Sequence, residues 1–206
     1  MTSVLQDLLK LDVIQHSEIV VKLRPDEPMD DDEFFDFCQR FDNERVEQTA
    51  DGEIIIMPPA GFETSNRNAE IVTQLRIWAK KDASGLVTES NGEYVLPNGA
   101  KRAPDAAWIL KSRVEKISKK RREKFLPLCP DFVVELMSPS ERLKDVQEKM
   151  HEYVENGARL GWLINPKEKE VHIYRPNAEI EILKNPKTVS GENVLPGFEL
   201  DLTEIW

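Results

Sequence analysis

The stretch spanning residues 131–165 restricts the fold more than any other part of the chain. Residues 131–137 (DFVVELM) form an apolar run of strand length, bounded by Pro130 on one side and Ser138-Pro139 on the other. Ser140 can cap a helix running to Asn156-Gly157, with Leu143, Val146, Met150, Tyr153 and Val154 along one face and the glycine as its stop. Residues 160–165 are again an apolar strand. A strand, a crossover helix and a second strand place the two strands parallel and adjacent, because a parallel pair needs a connection of this length. The chain is therefore expected to be α/β with a packed central sheet.

The flanking segments extend this unit. Over residues 64–81, Ile71, Leu75, Trp78 and Ala79 recur at helical spacing, and Ser84-Gly85 closes the helix. Residues 86–96, 104–110 and 131–137 read as three successive strands, so the core order is helix, three strands, helix, strand. Upstream lie a strand over residues 18–24 and a helix opened by Met29-Asp30-Asp31-Asp32, whose apolar face carries Phe34, Phe37, Cys38 and Phe41. A hairpin follows over residues 46–49 and 53–57, with Ala50-Asp51-Gly52 at its turn supplying positive φ angles. Residues 171–174 and 180–183 suggest an added hairpin, and residues 195–206 are expected to dock on the core. The expected organisation is a single domain over residues 1–206, with 1–60 as an N-terminal extension of helix and hairpin.

The balance of 40% hydrophobic and 32% charged residues excludes disordered and fibrous classes. The longest apolar runs are far shorter than the roughly 20 residues of a membrane-spanning helix. The opening MTSVLQDLLKLDVIQ lacks a basic leader and a small-residue cleavage site, so a cytoplasmic, non-membrane protein is expected. Cys38 and Cys129 lack ligand spacing and are expected to be buried thiols. A net charge of −10 weighs against nucleic acid as a partner, since phosphate neutralisation asks for a basic surface. Set against it is a basic cluster from Lys111 to Lys124, which is either a loop for a phosphate backbone or an ordinary solvated surface.

There is no glycine-rich phosphate loop and no nucleophile elbow, and His16, His151 and His172 are scattered. The remaining candidates are acidic. Asp105 enters a strand directly after Pro104. Glu135 is a charged residue inside an apolar strand, where an uncompensated carboxylate costs several kcal/mol, roughly. Either a divalent cation shared with Asp105 compensates it, which suits Mg2+ or Mn2+ with their oxygen ligands, or an Arg or Lys pairs with it. Lys149, on the helix after that strand, can reach the strand ends to assist an attacking water, or it can form an ordinary i,i+4 pair with Asp145. Glu70, on the first core helix, is a candidate third carboxylate of the metal site or a solvated helix residue. Glu47, in the hairpin, is a weaker acidic candidate that alternation can leave facing water.

Pro104-Asp105, the run Val133-Val134-Glu135 and a basic residue on the next helix resemble the PD-(D/E)XK nuclease superfamily. The stretches ERVEQTADGEIIIMPP, PDFVVELMSPSE, DVQEKMHEYVENG and GWLINPKEKEVHIYRP narrow the resemblance to its Uma-type family of putative restriction endonucleases in bacteria, covering residues 34–206. The resemblance implies a restriction-endonuclease-like core with a central mixed sheet and β additions at both ends. It also implies a magnesium-dependent phosphodiesterase in which Asp105 and Glu135 hold metal. The superfamily's lysine falls two residues after the second acid, where this chain has Met137; Lys149 matches a helix lysine that takes its place.

Three functions follow as expectations. The first is a metal-dependent endonuclease hydrolysing nucleic-acid phosphodiester bonds, DNA first, with Asp105, Glu135 and Lys149 as its catalytic residues; a homodimer is compatible with it. The second is a catalytically inactive nuclease-fold module that binds or regulates. The third is an assembly protein whose buried acids are salt-bridged to Arg102 or Lys149.

Overall fold

A computed structural model describes residues 11–16, 21–25, 29–41 and 44–206. In chain order the elements begin with β1 (Leu11–His16), β2 (Val21–Pro25), α1 (Asp31–Cys38), β3 (Arg45–Gln48) and β4 (Ile54–Met57). Then come α2 (Phe62–Asp82), β5 (Gly85–Glu89), β6 (Tyr94–Val95), β7 (Lys101–Arg102), β8 (Ala106–Leu110) and the short α3 (Lys111–Val114). The last are β9 (Phe132–Leu136), α4 (Leu143–Glu155), β10 (Leu160–Asn165), β11 (Glu170–Tyr174), β12 (Glu181–Lys184), β13 (Thr188–Ser190) and β14 (Glu199–Asp201). No helix among the described residues is long and apolar enough to cross a membrane. The strand expected over 18–24 is β2; residues 18–20 lie outside the described residues.

The chain divides into two compact units. The first comprises residues 1–59, 93–103 and 119–128, and the second the remainder.

In the first unit the sheet order is β1-β2-β4-β3-β7-β6. α1 begins at a complete capping box: Asp30 accepts from the backbone of Asp32 and Glu33, and Glu33 accepts from the backbone of Asp30. Phe34 and Phe37 bury against Leu23, Val46 and Ile54, with Phe125 at the edge. The β3–β4 hairpin forms as expected, but only Gly52 adopts positive φ, at 84°. The loop is longer than a two-residue turn, with Gly52 N–H bonded to the Thr49 carbonyl, so Asp51 is not forced into the left-handed region. Cys38 is part-exposed rather than fully buried, and desolvation raises its thiol pKa.

In the second unit the sheet order is β12-β11-β10-β9-β8-β5. β9 and β10 are parallel, joined through α4, and every other pair in this sheet is antiparallel, so the sheet is mixed. Alternation along β9 sends Phe132, Val134 and Leu136 into a cluster with Ile71, Leu75 and the C-terminal segment. Within it Trp162 lies edge-on to Phe132 and stacks on Phe198. The docking expected of the C-terminus is carried by Leu195, Phe198, Leu200, Leu202 and Ile205. The other face of β9 meets α4.

Three local expectations are corrected. Gly85 does not end α2: Ala83 takes the left-handed cap at φ 60°, and Gly85 opens β5, where a Cβ would lie 2.2 Å from the Trp108 indole. The strand expected over residues 86–96 is split into β5 and β6, which belong to different sheets and are separated by a turn closed by the bond from Gly92 N–H to the Glu89 carbonyl. The N-cap of α4 is Arg142, not Ser140, and its side chain does not cap; Gly157 is the stop, at φ 111°.

Candidate active site

The site grows from two antiparallel strands. The β8–β9 register pairs Ala106 with Val134, and continuing it by one residue sets Asp105 across from Glu135. Both acids are withdrawn from solvent, Asp105 being 7% and Glu135 4% exposed. Asp105 is held in place by the backbone of the neighbouring strand, since Leu136 N–H donates to its Oδ2 at 2.7 Å. Pro104 removes a backbone donor just before the strand starts, so β8 begins at Ala106 and Asp105 stays outside the ladder.

α4 supplies the basic partner. Val146, Lys149, Met150 and Tyr153 fall on one stripe of that helix, which turns toward the sheet. Lys149 Nζ lies 2.8 Å from Glu135 Oε1, and Tyr153 donates its hydroxyl to the same oxygen at 3.0 Å. The lysine ammonium also sits 5.9 Å from the centre of the Tyr153 ring. The i,i+4 alternative for Lys149 is not the arrangement that orders this helix: Asp145 takes the guanidinium of Arg142. Tyr153 is a site residue that sequence reasoning assigned only to the apolar face; nothing in a helical stripe tells whether a tyrosine hydroxyl will meet a carboxylate.

The structure thus brings together Asp105, Glu135 and Lys149. Glu70 is not gathered with them. Its carboxylate accepts from Gln74 at 2.9 Å, and Gln74 in turn bonds to the backbone of Asp201. Helical geometry gives the reason: positions 68 and 70 are about 200° apart around the axis, and position 68 shares the stripe of Ile71 and Leu75. Asn68 is the α2 residue that reaches the site, its Nδ2 lying 3.4 Å from Asp105 Oδ1. Among the described residues no three His, Cys, Asp or Glu side chains gather closely enough to hold a metal.

The fit of a divalent cation can be tested on what is present. Two carboxylates and one ammonium come together in a buried place, where charge is costly unless it is met. The side-chain oxygen of Asn68, adjacent to Asp105, is buried without a hydrogen-bond partner, a state costing about 1–3 kcal/mol. An all-oxygen set of two carboxylates and an unused amide acceptor fits a hard cation.

Glu47, in the first unit, is buried at 2% exposure rather than facing water. It pairs with Arg45 and Arg102 and accepts from the backbone of Ala103, so its charge is met within that unit. The basic cluster is partly consumed as well. Arg121 and Lys124 pair with Asp31 and Asp32 in the first unit, and Arg113 pairs with Asp131 in the second.

The family model Uma2, described as putative restriction endonuclease, matches residues 31–203. The crystal structure of a putative nuclease belonging to DUF820 from Anabaena variabilis superposes with a TM-score of 0.71 at 21% identity, over 86% of this chain and 97% of that one. At that identity the likeness shows the fold, which is restriction-endonuclease-like. No curated protein matches this chain.

Proposed function

The chain belongs to the Uma2 family, and from that premise we propose that it is a metal-dependent endonuclease acting on nucleic-acid phosphodiester bonds, with DNA as the first substrate to test. The observation that carries this reading is the meeting of Asp105, Glu135 and Lys149 at one end of β8 and β9, with the lysine amine 2.8 Å from the Glu135 carboxylate.

Asp105 and Glu135 are the residues that would hold Mg2+ or Mn2+. A cation bound there would polarise the phosphodiester and make a water molecule more acidic. The backbone bond from Leu136 keeps Asp105 oriented, and Tyr153 keeps Glu135 oriented, so neither carboxylate must be ordered when substrate arrives. Lys149 offers a positive charge and hydrogen-bond donors beside the carboxylates, where it orients a water and offsets negative charge developing on phosphate oxygens. Hydrolysis adds that water to phosphorus and breaks one P–O ester bond, leaving a phosphomonoester and an alcohol.

A second reading, a nuclease fold that binds without cutting, draws on Met137 at the position of the strand lysine and on the net charge of −10. One experiment separates the two: plasmid and single-stranded DNA incubated with the purified chain and Mg2+ or Mn2+, alongside Asp105→Ala and Glu135→Ala. Cutting by the wild type alone supports the nuclease; silence of all three proteins across both cations, with retained DNA binding, supports the binding module.

A further inference from the structure

We propose that Asn68 is a third ligand-bearing residue of this site, its side-chain amide oxygen serving as a neutral donor to the cation that Asp105 and Glu135 hold. The inference rests on the reading that the two carboxylates bind a cation.

The amide is caught between two incomplete roles. Its nitrogen is 3.4 Å from Asp105 Oδ1, at the long end of the hydrogen-bond range, so the contact places the amide beside the carboxylate without consuming it. Its oxygen is buried and has no donor. A buried amide oxygen in that state calls for a hydrogen-bond donor or a cation. An asparagine amide can also exchange its two ends by rotating about its last torsion. That rotation turns a donor toward Asp105 when the carboxylate stands alone and an acceptor toward a cation held in common.

Charge explains why an amide suits this place better than a third acid. A carboxylate at position 68 would set another negative charge beside Asp105 whenever the cation is absent, and the like charges would repel. An amide adds an oxygen ligand and no charge, so the metal-free protein stays folded. The helix that carries Asn68 is anchored by Ile71 and Leu75 in the core, so the oxygen is delivered from a rigid element. Magnesium fills its remaining positions with water and substrate oxygen, and needs few protein ligands.

The test is Mn2+ binding by the full chain, read from the electron paramagnetic resonance of free Mn2+, together with melting curves without added metal. The variants are Asn68→Ala and Asn68→Asp. Asn68→Ala is expected to weaken Mn2+ binding at least ~10-fold, while its metal-free melting temperature stays at or above that of the wild type, because an unsatisfied acceptor has been removed. Asn68→Asp is expected to bind Mn2+ more tightly than the wild type and to melt earlier without metal. If the wild type binds Mn2+ and Asn68→Ala binds it equally well, Asn68 is no ligand and the carboxylate reading stands alone. A lower metal-free melting temperature for Asn68→Ala with unchanged Mn2+ affinity marks a structural amide and likewise overturns the proposal. If the wild type itself does not bind Mn2+, the underlying cation reading fails, and this inference falls with it.

Discussion

The two ends of the β8–β9 ladder carry the same kind of residue in different company. At one end Asp131, 2% exposed, pairs with Arg113 at 2.9 Å and accepts the backbone N–H of Leu110 at 3.0 Å. One acid meets one base, and the carboxylate also closes the end of the neighbouring strand. At the other end Lys149 and Tyr153 both meet Glu135, and the backbone N–H of Leu136 meets Asp105. The first end is a structural tie of one acid with one base; the second gathers two acids and a lysine beside a buried amide oxygen that has no hydrogen-bond partner. A buried carboxylate is therefore no sign of function until its partners are counted.

The largest expected effect falls on chemistry. Asp105→Asn and Glu135→Gln should each lower metal-dependent cleavage by more than ~100-fold, and should remove most of the rise in melting temperature that magnesium gives the wild type. Asp131→Asn should leave that magnesium-dependent rise intact. A magnesium response lost equally in all three variants would break the comparison.

The next effect falls on stability. Asp131→Ala leaves Arg113 and the Leu110 N–H without their acceptor, and should cost about 2–3 kcal/mol in urea denaturation, below the range for a fully buried pair because Arg113 is part-exposed. A loss under about 0.5 kcal/mol, the size of an ordinary surface substitution, would show that the tie is not structural.

Smaller still is Tyr153→Phe, which removes one hydrogen-bond donor to Glu135 and should cost about 1 kcal/mol. Because Lys149 remains, the magnesium response should persist, with a lower cleavage rate as the carboxylate loses its orientation. The smallest effect concerns Cys129, whose carbonyl accepts from Arg113 at the balanced end. Burial pushes its thiol from an ordinary value of 9.0 up to about 12. The protonated thiol is favoured by the fold, so its stabilising contribution is present below about pH 9 and lost as pH rises toward 12. In a Cys38→Ser background, an aromatic disulfide reagent at pH 8 should react only as fast as the protein unfolds.

Much of the core was legible in the sequence because it depends on local periodicity. The crossover from β9 through α4 to β10, the face of α2 bearing Ile71 and Leu75, and the β3–β4 hairpin all follow from short-range pattern and turn chemistry. The acids were legible for a related reason: Glu135 interrupts an apolar strand, and Asp105 follows a proline at a strand mouth. Less legible was the stretch spanning residues 86–96, which a polar turn at Ser90-Asn91-Gly92 cuts into two strands of different sheets. The cap at Arg142 was also missed, because a serine two residues earlier satisfied the local rule while the chain began its helix later.

Position 68 shows the limit most clearly. Sequence reasoning offered Glu70 either as a third carboxylate of the metal site or as a solvated helix residue, and the helix carries Asn68 to Asp105. Residue type and spacing determined that this chain would form an α/β core and that two buried acids would need compensation, because apolar periodicity and the cost of desolvating charge act on each segment by itself. Only the tertiary structure decided that Lys149 and Tyr153 share one oxygen of Glu135, that Asp131 is balanced by Arg113, and that Asn68 carries the unpaired oxygen. Each of those outcomes depends on the rotation of a helix about its axis and the register of a strand against its neighbour, which long-range packing sets.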